Sequence, residues 1–126
     1  MVGPKTLETH VVKILQDAAR SASQPLARVI AGFPVVVTNN VEAAKRKLEE
    51  GLAIYGELPS YRAMLDKEGI ENPVDIALIG DENILRQRIK DIESTGVTDF
   101  NAAIMPVEDG AFDRTFDFIT TLKEST

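Results

Sequence analysis

His10 is the only imidazole in a chain of 126 residues that contains no cysteine. Those two facts limit the available chemistry. A serine, histidine and carboxylate relay needs its base within reach of a nucleophile and of an orienting acid. His10 lies in the first helical stretch beside Val11 and has no such neighbours, so it reads as structural or solvent-facing. One imidazole, no thiolate and scattered carboxylates do not assemble a transition-metal site, so no metal ligand is expected. A glycine opening a helix can cradle an anion, and Gly80 is placed for it. Asp81 and Glu82 follow, however, and would repel a phosphate, so Asp81 reads as a helix cap. Arg62 carries the planar guanidinium suited to an anion, with Tyr61 beside it. The same residues also read as a packing helix, with Tyr61, Met64 and Leu65 inward and Arg62 at the surface. No catalytic residue is assigned.

The element that must position these groups is the stretch from Asp75 to Pro106. Ile76 to Ile79 is an apolar run that breaks at Gly80. Leu85, Ile89 and Ile92, widened by Ile84, then recur at the spacing of one buried helix face. Gly96 suits a left-handed stop. Val97 to Met105 follows as a second apolar strand, closed by Pro106. A helix feeding a buried strand is half of a βαβ unit and predicts a parallel sheet.

Upstream, Met1 to Lys5 reads as the end of a strand, and Thr6 as a cap for a helix with Leu7, Val11, Ile14, Ala18 and Ala22 on one face. Arg28 to Thr38 is the best strand, apolar on both faces as a doubly covered strand should be. Gly32 and Pro34 within it suggest a bulge or a local loss of pairing. Asn39, paired with Glu42, opens a long helix whose inward residues are Val41, Ala44, Leu48 and Leu52. Pro59 to Gly69 is a further helix, and Asn72-Pro73 a turn. A last helix runs from about Ala111, with Phe112, Phe116, Ile119 and Leu122 on one side.

The composition is that of an ordinary globular domain, 44% hydrophobic and 27% charged. One domain, residues 1–126, is expected. The net charge of −6 argues against nucleic acid. No apolar run approaches the roughly 20 residues that cross a bilayer, and no signal peptide is seen, so a cytoplasmic setting is expected.

Three stretches in order carry a likeness: Arg28 to Asn40 (RVIAGFPVVVTNN), Ala53 to Asp66 (AIYGELPSYRAMLD), and the run from Asp75 through TGVTDF to Pro106. Thr6 to Val12 adds a fourth. Together they resemble the C-terminal part of the luciferase-like monooxygenase family, in the branch using the deazaflavin coenzyme F-420. The resemblance implies a (β/α)8 barrel, which takes about 250 residues, so the chain is expected to be an α/β partial barrel. It would have few parallel strands and about five helices. It implies hydride-transfer chemistry with F-420 or FMN in the full-length protein, the cofactor being held by earlier strands absent here. No cofactor is therefore expected on this chain alone, which would be inactive by itself. In sugar-phosphate-oxidising relatives a lysine comparable to Lys5 reads the substrate phosphate, the alternative being a plain surface lysine, and Tyr61 and Arg62 would line the substrate side. The alternative is a non-catalytic association domain. On either reading a half barrel leaves sheet edges and a face exposed, and a homo-oligomer covering them is expected.

Overall fold

The valine-rich run becomes strand β1, Ile30–Val37, at the centre of a three-stranded parallel sheet ordered β2-β1-β3. The computed structural model describes residues 2–124. Within them β1 is flanked by β2, Leu78–Gly80, and β3, Asp99–Ile104. Helix α1 covers residues 4–21, α2 is Val41–Leu52, α3 Pro59–Glu68, α4 Glu82–Glu93 and α5 Ala111–Glu124. Short 3-10 turns, Ala53–Gly56 and Pro73–Ile76, link α2 to α3 and lead into β2. The fold is thus α/β, with five helices and an open parallel sheet among the described residues. In a barrel wound in sequence β3 would stand beside β2; here it crosses to the far side of β1.

Alternation along β1 builds two cores. Ala31, Phe33, Val35 and Val37 face one, with Leu7 and Val12 of α1, Leu65 of α3, Leu85 and Ile92 of α4 and Phe118 of α5. Val36 and Ile79 face a smaller one under α2, formed by Ala44, Leu48 and Leu52. Helices on both faces are what a parallel sheet requires, and the carboxyl half of β1 is fully enclosed. Pro34 is accommodated by loss of pairing. The ladder to β3 runs unbroken through Gly32 and Pro34, whereas pairing to β2 begins only at Val35. The missing N–H of Pro34 therefore faces a gap.

Most caps fall where local chemistry puts them. The Asp81 carboxylate accepts from the Ile84 N–H at 2.9 Å, and Gly69 closes α3 in the left-handed region with φ 76°. The cap of α2 is Asn40, not Asn39, and it accepts from Ala43 N–H. Asn39 is instead drawn to Arg114.

The N-terminal expectation is corrected. No strand is present there among the described residues: Gly3 is the N-cap, Pro4 starts α1, and Thr6 lies inside it. Met1 lies outside the described residues. A π turn, Leu7–Val11, interrupts the helix, with the Val12 N–H donating to the Leu7 carbonyl. Widening the turn brings residues five apart toward one side, so Leu7 and Val12 are both buried. The expected stripe is displaced, and Ile14 is 52% exposed. In α5 the inward side is Ala111, Thr115 and Phe118, with Ile119 and Leu122 of the expected stripe packed half-buried against the same core, while Phe112 and Phe116 stack on each other in solvent.

Candidate functional site

In an open α/β sheet the crevice beyond the carboxyl ends of the strands, where connections leave in opposite directions, is the usual place for a ligand. Here that edge gathers Thr38 and Asn39 after β1, Asp81 and Glu82 after β2, and Glu108 after β3. Helix α5 adds Arg114. The Arg114 guanidinium donates to both Glu82 carboxylate oxygens at 2.8 Å and to Asn39 Oδ1 at 3.0 Å. The two bonds from Arg114, with a backbone one, hold the Glu82 carboxyl down to about 2. Arg114 is raised in turn by the same carboxylate. Thr38 Oγ1 donates to Glu108 Oε1 at 2.6 Å and accepts from the Asn40 N–H at 3.0 Å.

Beside this cluster lies an open cleft of about 540 Å³ between α4 and α5, lined by Glu82, Arg86, Arg114, Asp117, Phe118 and Thr121. A second cleft of about 530 Å³ is apolar at its base, where Ile89, Val97, Phe100 and Ile119 meet under the start of β3. In the second cleft the Thr98 hydroxyl donates to Asp99 Oδ2 at 2.7 Å, but that carboxylate is also held by the Arg28 guanidinium. In the first cleft Arg114 is matched to Glu82, while Arg86 lies over the Phe118 ring. An anion directed at Arg114 would have to displace Glu82 from it and from the first turn of α4, where the helix dipole also favours it. Among the described residues no group of three or more histidine, cysteine or carboxylate side chains could hold a metal.

The residues singled out in the sequence go elsewhere. Lys5 is exposed. Its backbone N–H donates to Glu68 Oε2 at 3.1 Å, and that of Thr6 to Glu68 Oε1 at 2.8 Å. The free amides at the start of α1, the place an anion would be read, are thus met by the chain's own carboxylate. Tyr61 and Arg62 lie on α3, and their polar and ring contacts run to segments other than Lys5. Tyr61 meets Tyr55 edge to face with ring centroids 4.8 Å apart. Arg62 donates to the Ile70 and Glu71 carbonyls at 2.9 Å and to Asp66. It ties down the chain leaving α3. His10 is exposed within the π turn.

Sequence reasoning missed Glu68, Arg114 and Thr115. Arg114 finds its partners 32 and 75 residues away, and Glu68 caps a helix 62 residues upstream. No local spacing announces such pairs. The one available signal was Glu82, acidic in the first turn of a helix.

No family model, no curated protein and no solved structure matches this chain. Among the described residues no helix is long and apolar enough to cross a membrane.

Proposed function

We propose that this chain is the C-terminal α/β portion of a luciferase-like oxidoreductase that uses coenzyme F-420 or FMN, inactive by itself, and acting in a cytoplasmic setting. The hydride would pass between substrate and cofactor within the parent barrel. The observation that carries the reading is the order of the resembling stretches. RVIAGFPVVVTNN holds β1, LPSYRAML opens α3, and the run from Asp75 to Pro106 holds β2, α4 and β3. In a complete barrel an upstream strand would occupy the flank of β1 that β3 takes here. Lys5 is the residue this reading offers to a substrate phosphate. Tyr61 would wall the substrate side, and Arg62 would join it only after release from Ile70 and Glu71. The test is a titration with F-420 and with FMN, followed by fluorescence, of the chain alone and with an added N-terminal half barrel. No binding alone and binding on reconstitution is the expected result. Tight stoichiometric binding by the chain alone, or none on reconstitution, overturns it.

A second reading has its own support. The polar residues at the carboxyl edge are engaged with each other, while the outer edge of β3 is unpaired among the described residues. Both suit a non-catalytic domain whose work is association, with copies covering each other's exposed sheet.

A further inference from the structure

Strand β3 carries none of the devices that keep an edge strand solitary. It runs DFNAAI without lysine, proline or bulge, and its one charge, Asp99, is gripped by the Arg28 guanidinium at 2.6 and 3.1 Å. Natural edges are commonly blunted by charge, proline or irregularity. An unblunted one calls for a covering strand, and the backbone says which strand fits.

Asp99 N–H bonds the Val29 carbonyl and Met105 N–H the Val35 carbonyl. The odd residues of β3 therefore address β1. The N–H and C=O of Phe100, Ala102 and Ile104 point to the free side, and the side chains of these three are half-buried on the face shared with α5. We propose that two copies of this chain pair through β3, antiparallel, about a two-fold axis at Ala102. The inference rests on the association reading above and names the surface for it.

The register follows from backbone accounting. With the axis at Ala102, Ala102 faces its own counterpart and Phe100 faces Ile104 of the second copy. All three outward residues then form hydrogen-bonded pairs, and all six outward backbone groups of each copy are satisfied. A shift of two residues leaves one pair outside the strand, and a shift of one turns outward groups against inward ones. The charges agree with the same register. Asp99 lies opposite Met105 of the second copy, so like charges do not meet, and Phe100 against Ile104 is a favourable aromatic and β-branched pair. The axis stands normal to the sheet, which keeps both α5 helices on one face. Phe112 and Phe116 share a stripe with Ile119, which reaches the cleft beside Phe100. The two exposed phenylalanine pairs are thereby brought toward each other across the axis.

The absence of cysteine allows a direct test. In a hydrogen-bonded antiparallel pair the facing Cα atoms are about 5.5 Å apart, within the range of about 4.4–6.8 Å that a disulfide spans. Sedimentation equilibrium should give twice the 13.8 kDa chain mass. Ala102→Cys should oxidise to a covalent dimer at least tenfold faster than the exposed control Ala53→Cys. Ala102→Pro removes an outward donor and should weaken dimerisation at least tenfold with unchanged circular dichroism. If that variant does not fold, the cysteine pair decides. A monomer at tens of micromolar overturns both this inference and the association reading. A dimer in which Ala102→Cys crosslinks no faster than the control overturns the β3 assignment alone.

Discussion

The Val37 backbone N–H donates to Thr115 Oγ1 at 2.9 Å, and that hydroxyl donates onward to the Ala111 carbonyl at 2.6 Å. The pair closes a gap in the sheet. Pairing of β1 with β3 ends at Val35, so the next amide on that side would be a buried donor without a partner. A threonine on the inner face of α5 supplies the acceptor. This explains why α5 turns a small polar residue inward while Phe112 and Phe116 stay outside.

Thr115→Val keeps the shape and removes the acceptor. An unsatisfied buried amide costs about 1–3 kcal/mol, and urea unfolding should show a loss of that size. Thr115→Ser should recover most of it.

The Glu82 and Arg114 pair predicts an acid-side dependence. The Glu82 carboxyl is lowered from 4.5 to about 2. A depressed carboxyl contributes stability that is fully present above pH 4.5 and lost as pH falls toward 2. Both side chains are more than a third exposed, so solvent screening holds the effect to about 1 kcal/mol or less. Unfolding free energies measured between pH 2 and 5 should fall less steeply in Glu82→Gln than in the parent.

Gly3 and Glu68 form a steric and capping unit. A side chain at position 3 would run into the Glu68 carboxylate, although Gly3 has an ordinary extended backbone. Gly3→Ala would push the flexible end of Glu68 aside and should cost no more than the cap it displaces, about 0.5–2 kcal/mol. Glu68→Ala should cost about 0.5–2 kcal/mol through the lost cap of α1. In the double variant the clash is gone, so the two losses should fall short of additivity by about 1 kcal/mol. Thermal unfolding of the four chains measures it.

The π turn makes its own prediction. Leu7→Ala empties a buried site and should cost about 2 kcal/mol or more. Ile14→Ser, on the face the turn swings outward, should change stability by no more than about 0.5 kcal/mol. Equal losses at both positions would mean that α1 is a regular helix in solution.

Local chemistry was read well where it decides the structure. Asp81 and Gly69 are capping groups whose partners lie within one turn, and the Leu85 to Ile92 spacing marks a buried face of α4 by itself. The errors share one physical origin. The stripe through Leu7, Val11 and Ile14 assumed a uniform helical period, and the π turn broke it to seat Leu7 and Val12 on the core together. The stripe through Phe112 and Phe116 had the better hydrophobicity, yet the need of Val37 for an acceptor turned Thr115 inward. Arg62 looked free because its carbonyl partners lie in the following loop.

By itself the sequence determined the α/β class and most element types, though not the helix that replaces the expected strand at the N-terminus, because capping, glycine freedom and side-chain periodicity act over a few residues. The tertiary structure alone decided that β1 stands between β2 and β3, that Arg114 closes on Glu82 and Asn39, and that Glu68 meets the amides of Lys5 and Thr6. Those outcomes depend on which buried polar groups and apolar faces find one another across dozens of residues, a competition that no local pattern encodes.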